Sequence, residues 1–227
     1  MSEPFVIVAT GLAFEARIAE GVEAAKVCCG NGGQMAVALA TAIGPACRGI
    51  ISFGIAGGLD PALRSGTAVV ASSIIGANGV RGALPTDDRW AQALLFARPQ
   101  FVHAPILGVD APVAEPADKL RLFRQTDAAI ADMESHIVAS VADEHGLPFA
   151  ALRVVADPAG QRVPLTALGG MRADGSLDVM AVLVALGRRP ADLARLPGLA
   201  RHAFVARNAL ARLRHGLGRG FGLPDLG

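Results

Sequence analysis

The sequence predicts a single α/β domain built on a largely parallel sheet, and three observations carry that prediction. Largely apolar runs at 5–9, 49–53, 68–75 and 149–156 read as strands, that at 49–53 with the look of one buried on both faces. Helical patterns lie between those runs, the alternation expected of βαβ units. No repeat or linker breaks the alternation, and 227 residues at 52% hydrophobic content can bury one full core.

Taken in order, the run at 5–9 predicts a first buried strand. Thr10-Gly11 turns it into a helix marked by Ala13, Glu15, Ala16 and Arg17. A helix start after a strand aims backbone N–H groups and partial positive charge at an anion. Glu15, one turn in, reads either as a solvated acid that complements the dipole or as a carboxylate facing a ligand. Residues 24–29 suit a second strand, followed by Gly30-Asn31-Gly32-Gly33 and a helix with Met35, Leu39, Ala42 and Ile43 on one face. These glycines match neither GxGxxG nor GxxxxGK[ST], so dinucleotide and ATP chemistry have no motif support. A loop that offers backbone donors to a substrate stays open.

The next strand, 49–53, is expected to break into Gly54, Ile55, Ala56, Gly57 and Gly58. Ligands of open α/β sheets bind at the carboxyl ends of strands, and glycine lets backbone approach them closely. The glycine cluster is therefore either the floor of a site or only a tight turn. Residues 68–75 predict a strand beside it, 78–100 a loop plus short helix, and 101–107 another strand. Residues 115–126 have helical composition with an early proline. Residues 128–131 lead to Asp132-Met133-Glu134, which sits where a strand passes into the helix of Ile137, Val138, Val141 and Ala142. Glu134 reads as a helix cap or as a carboxylate that accepts hydrogen bonds from paired hydroxyls. The strand at 149–156 runs straight into Asp157-Pro158. Asp157 is a cap or turn residue, or a general acid whose pKa burial raises.

Residues 159–176 read as a mobile loop over the site, and 178–186 as a short buried helix. After Pro190 a long helical pattern follows, with an interruption expected at Pro197-Gly198. Leu199, Ala203, Ala206, Leu210, Leu213 and Leu217 mark its apolar face, while Arg201, Arg207, Arg212, Arg214 and Arg219 gather around it. That is a solvated helix face or a basic element resting on anionic lipid. This composition shift divides the chain into 1–188, the main α/β domain, and 189–227, a basic amphipathic extension.

A net charge of +1 gives no bulk attraction to nucleic acid, and without Tyr and with one Trp there is little to stack bases on. Cys28, Cys29 and Cys47 have no CxxC spacing and read as reduced residues of a cytoplasmic protein. His103, His136, His145, His202 and His215 show no ligand spacing, so no metal is expected. The start, Met-Ser-Glu-Pro, lacks the basic region of a signal peptide. No run of about 20 apolar residues is present to span a bilayer.

Four of these places occur together and in order: Thr10-Gly11 with Glu15, Gly54 to Gly58, Asp132-Met133-Glu134, and Arg153-Val154-Val155-Ala156-Asp157. In them the chain resembles the nucleoside phosphorylase and nucleosidase superfamily, and within it the hopanoid-associated phosphorylases, which act on adenosylhopane. The resemblance implies a three-layer α/β/α domain around a mixed, largely parallel twisted sheet. It also implies cleavage of the N-glycosidic bond of an adenosine-type nucleoside. Asp157 matches the acid at N7 of the departing purine, and Glu134 the carboxylate that grips the ribose hydroxyls, with Met133 packed on the sugar. Glu15 matches the group that orients water in nucleosidases, and Gly54, Ile55, Ala56 and Gly57 the floor beside base and sugar. No cofactor is implied; inorganic phosphate is expected as co-substrate, held by Gly11, Arg17, Gly32 and Gly33. A homo-oligomer is implied, and the basic arm suggests peripheral contact with the inner membrane face.

The match has departures. Ala156 stands where the family often has Ser, Ser52 where many members carry a phosphate-gripping Arg, and Ile55 where a small hydroxyl is usual. They keep two other readings open: a nucleosidase that uses water, acting on methylthioadenosine- or adenosylhomocysteine-type nucleosides, and a nucleoside-binding protein without catalysis.

Overall fold

The structure, a computed structural model, describes residues 3–30, 32–76, 82–164, 196–224 and 226. Eight strands form one mixed sheet: β1 (Phe5–Thr10), β2 (Ala25–Cys29), β3 (Cys47–Gly58), β4 (Ala68–Gly76), β5 (Leu84–Pro85), β6 (Val102–Gly108), β7 (Ile130–Asp132) and β8 (Phe149–Asp157). The described helices are α1 (Ala13–Ala19), α2 (Gly32–Ala42), α3 (Asp88–Ala97), α4 (Pro116–Thr126), α5 (Ser135–Glu144) and α6 (Leu196–His215). This is the α/β architecture the sequence predicts. The helix expected over 178–186, most of the loop expected over 159–176 and the boundary at 188 lie outside the described residues.

The strand order is β2-β1-β3-β7-β6-β4-β5, and β8 pairs with both β3 and β4. Five strands therefore close a circuit, β3-β8-β4-β6-β7 and back to β3. The β3–β8, β4–β6 and β6–β7 pairings are parallel, whereas β4–β8 and β3–β7 are antiparallel. Closure leaves β3 and β8 without a solvent face, which is why both are nearly unbroken apolar runs.

Strand alternation sends successive side chains to two helical layers. From β1, Ile7 and Ala9 join a cluster with Met35 and Leu39 of α2 and Val138 and Val141 of α5. Val6 and Val8 face the other way, into Trp90 and Leu94 of α3 and Ala206 and Leu210 of α6. On β8, Phe149, Ala151 and Val155 belong to the first cluster, and Ala150, Leu152 and Val154 to the second. Each fully buried aliphatic contributes about 1.5–3 kcal/mol by leaving water. A third, smaller cluster joins Leu59, Leu107, Val109, Ala128 and Ala131, with Leu122 and Phe123 of α4 and Met133 against it.

Three expectations need correction. β3 does not break at Phe53 but continues to Gly58, so the glycine cluster is strand and not turn. It stays extended because β8 pairs along it from Ile50 to Gly57 and β7 takes Gly57 and Gly58 at its end. α6 is not interrupted at Pro197-Gly198 and starts at Leu196, which puts the proline in the first turn, where its missing N–H has no helical partner to lose. Ala203, expected on the buried face of α6, is exposed, whereas Ala206, Ala209 and Leu210 are buried. The three cysteines form no disulfide. Among the described residues no helix is long and apolar enough to cross a membrane.

Candidate active site

The carboxyl end of β3 is the hub. β8 lies along one side of it, with Gly57 opposite Asp157, and β7 enters antiparallel on the other, with Gly57 opposite Ala131. Two acids 23 positions apart in sequence, Glu134 and Asp157, thus flank a single strand end. A third comes from β1, which lies parallel to β3 and releases its chain at Gly11 beside Glu134. Together these strand ends wall a cleft of about 160 Å³ that opens to solvent. Glu15, Asp132, Glu134 and Asp157 line it, with Met133, Ile55, Ala56 and Gly57.

Glu15 is 1% exposed, so it is no solvated first-turn acid. Its Oε2 accepts from the N–H groups of Gly11 (3.0 Å) and Leu12 (2.9 Å), and its Oε1 from that of Ile55 (2.7 Å). Burial pushes its pKa up; Arg153 and these backbone donors pull against that. Gly54 does not line the cleft, but makes room beneath it. A Cβ there would lie 2.5 Å from Glu15 Oε1 and 2.6 Å from Arg153 Nη1. Gly11 does the same for Glu134, whose carboxyl carbon would lie 2.6 Å from an added Cβ.

Arg153, quoted above only as part of a motif, is wholly buried at the centre of the acids. Its Nε pairs with Asp132 Oδ2 at 2.6 Å, and Nη2 with Ser52 Oγ at 2.6 Å and Glu134 Oε2 at 3.3 Å. Ser52, which stands where an arginine was expected, thereby accepts from an arginine that comes from the neighbouring strand. Ser135 closes the network: its N–H donates to Asp132 Oδ1 at 3.0 Å and its hydroxyl to Oδ2, and it lies 3.0 Å from Ser52 Oγ. Glu134, half withdrawn from water, is pushed up to about 7, first by burial, with Asp132 and Glu15 adding repulsion and Arg153 opposing.

Asp157 meets a different partner. Lys119 of α4 is 0% exposed, and its ammonium donates to Asp157 Oδ2, to the carbonyl of Pro158 at 3.2 Å and to that of Gln161 at 2.9 Å. Burial raises the Asp157 pKa and Lys119 lowers it, with burial the larger effect. Lys119 was missed, although a signal existed: it lies three and four residues before Leu122 and Phe123, on the apolar face of α4, where an unpaired lysine is costly.

The phosphate site expected at Gly11, Arg17, Gly32 and Gly33 does not assemble. Only Gly11 lines the cleft, and Glu15 already occupies its N–H. Arg17 is exposed, with its Nε donating back to Ala13 O at 3.3 Å, because its position on α1 turns it from the sheet end. Gly32 and Gly33 are exposed at the start of α2, with no atom within 4 Å of an added Cβ. Among the described lining residues Lys119 is the one base, and its three donors are committed. Among the described residues no group of three or more side chains suits a metal ion.

The fold has many counterparts among solved structures. Futalosine hydrolase of Helicobacter pylori superposes with a TM-score of 0.64 at 15% identity, covering 91% of this chain and 95% of that one. The methylthioadenosine/S-adenosylhomocysteine nucleosidase of Campylobacter jejuni gives 0.63 at 13% identity, covering 92% and 97%. That of Colwellia psychrerythraea, solved with adenine, gives 0.62 at 18% identity, covering 82% and 96%. No curated protein matches the chain. The family model described as the phosphorylase superfamily matches residues 3–196. With that span matched, the chain belongs to the phosphorylase superfamily.

Proposed function

We propose that the protein cleaves the N-glycosidic bond of an adenosine-type nucleoside and releases adenine. One observation carries the reading: Glu134 and Asp157, brought by β7 and β8 to either side of the β3 end, face the same cleft. Breaking C1′–N9 leaves positive charge on the sugar and negative charge on the base. Asp157, its pKa raised by burial, gives a proton to N7 of the departing purine. Glu134 accepts from the ribose hydroxyls and, with Glu15, supplies negative charge where the oxocarbenium ion develops. Glu15 orients the group that adds to C1′.

The charge of the cleft favours water as that group. Around Arg153 stand Glu15, Asp132 and Glu134, and no uncommitted cation is among the described residues of the lining. A phosphate dianion would be repelled by the ionised carboxylates of this group, whereas neutral water would not be. Phosphorolysis is the second reading, favoured by membership of the phosphorylase superfamily and by the likeness to enzymes of adenosylhopane. Leu12, Leu59, Val109, Pro112, Val113 and Val163 make most of the remaining wall apolar, which suits a large apolar 5′ substituent under either reading. A lipid-linked substrate also gives α6 a role, since Phe204 is 62% exposed, with Arg201 and Arg207 one turn to either side. Assembly as a homo-oligomer follows from the resemblance.

The test is to incubate the protein with adenosine, methylthioadenosine and adenosylhopane, with and without phosphate, and to measure adenine, free sugar and sugar phosphate. Adenine with free sugar, unaffected by phosphate, fits hydrolysis; a phosphate requirement with sugar phosphate moves the assignment to phosphorolysis. No adenine from any of the three defeats the proposal.

A further inference from the structure

We infer that Lys119 is a positioning residue for the N-glycosidic cleavage: it clamps one oxygen of Asp157 and the following loop, leaving Oδ1 as the oxygen that addresses the leaving base. The inference rests on the reading of Asp157 as the acid at the purine.

Three observations carry it. Lys119 is wholly buried yet lines the cleft, so it is neither a surface charge nor a remote core residue. Its three N–H bonds go to Asp157 Oδ2 and to the carbonyls of Pro158 and Gln161, which ties α4 to the end of β8 and to the chain that follows. Ala156 has no hydroxyl with which to hold the neighbouring carboxyl, so nothing else of that kind orients it from its own strand. The chain after Gln161 is further fixed where Val163 N–H donates to Ala114 O at 2.9 Å, just before α4. One lysine therefore sets both the rotamer of the acid and the edge of the cleft beside it.

The pair also sets when Asp157 carries its proton. An ammonium against a carboxylate favours the ionised form, while burial favours the neutral one. Among the described residues His202 of α6 also draws the Asp157 pKa down, more weakly than Lys119 does. A general acid works only while protonated, so activity falls as pH rises through the Asp157 value. Removal of the Lys119 charge moves that fall to higher pH.

The experiment compares wild type, Lys119→Met, Lys119→Arg and His202→Gln. The Asp157 carboxyl is followed by carbon NMR titration, and adenine release from methylthioadenosine is followed against pH. Lys119→Met is expected to raise the Asp157 midpoint by about one pH unit or more, the usual effect of one adjacent charge. It is expected to shift the alkaline limb of kcat/KM by the same amount and to lower kcat at least about tenfold, with KM changed less than threefold. Lys119→Arg should keep the midpoint low and recover part of kcat, and His202→Gln should move the midpoint less than Lys119→Met does. In an Asp157→Asn background Lys119→Met should cost little more. An unmoved midpoint in a folded Lys119→Met protein overturns the inference, as does a full additional loss in the Asp157→Asn background. Wild type that releases no adenine while the midpoint still moves would instead defeat the nucleosidase reading, and with it the catalytic part of this one.

Discussion

Two buried cations serve the cleft, and they are employed differently. Arg153 holds Asp132 and Glu134 in ion pairs, with Glu15 close by, and ties in Ser52 through its planar fork. Lys119 faces one carboxylate and two carbonyls. The Arg153 side is thus a buried, acid-rich floor, and the Lys119 side a single pair that shares its polar contacts with a loop. Guanidinium suits the first task because its donors are fixed in a plane and it stays charged; ammonium suits the second because it is a compact charge that three acceptors can surround. A site that must attract a cationic transition state at one end and hand over a proton at the other has reason to use both.

The sharpest way to break the comparison is to remove Arg153. Arg153→Met leaves its carboxylates buried without a counter-charge, and unfolding in urea should show a loss of about 3–5 kcal/mol. The loss should shrink at pH 5, where the acids can protonate. Arg153→Lys should restore little, since one ammonium cannot reproduce the fork. If Arg153→Met is as stable as wild type at pH 8, the floor does not depend on its cation.

Asp157→Asn tests the other side. It should lower kcat about 10²–10⁴-fold in the folded fraction, because a general acid is lost, and it should also cost stability, because the buried Lys119 ammonium loses its counter-charge. Near-normal adenine release by this variant would remove Asp157 from the chemistry.

Gly54→Ala is expected to cost about 1–3 kcal/mol, as overpacking does, since the new methyl meets Glu15 and Arg153. Thermal denaturation that matches wild type would mean the floor yields more easily than its packing indicates.

Glu134 gives a smaller, pH-dependent signal. Its folded value of about 7 lies above the ordinary 4.5, so between those values the native protein binds the additional proton. Stability therefore falls as pH rises through that window, with a slope of up to about 1.4 kcal/mol per pH unit. Glu134→Gln should flatten the slope, and an unchanged slope would place the titration elsewhere. Least of all, Phe204→Ser on exposed α6 should alter stability by about 0.5 kcal/mol or less. If α6 rests on lipid, the same change should reduce co-sedimentation with anionic vesicles relative to neutral ones.

Much of the fold was legible because burial writes itself into composition. The runs of β1, β4 and β8 are predominantly apolar because most of their positions are covered, and α5 carries the spacing of a one-sided helix. Glu15, Glu134 and Asp157 were legible as candidates because each stands at a junction of strand and helix or strand and turn. The course of β3 was not. Gly54, Gly57 and Gly58 look like a turn to any local rule, and only pairing with β7 and β8 keeps them extended. Lys119 was not read either: its spacing from Leu122 and Phe123 sets it on the apolar face of α4, apart from the exposed Arg121 and Arg124, but no local rule names the carboxylate it meets. The phosphate site failed at Gly11 for a related reason, since an N–H that looks available in sequence is claimed by a carboxylate four residues away.

The sequence by itself determined the alternation of strands and helices and which acids stand at their junctions, because periodicity and apolar runs are local consequences of which face meets water. Only the tertiary structure decided that β3 runs on through its glycines, that β7 and β8 bring Glu134 and Asp157 to one cleft, and that Arg153 and Lys119 divide the acids between them. Those outcomes depend on pairing between segments far apart in the chain and on the charge each buried group must find there, and neither is encoded at any single position.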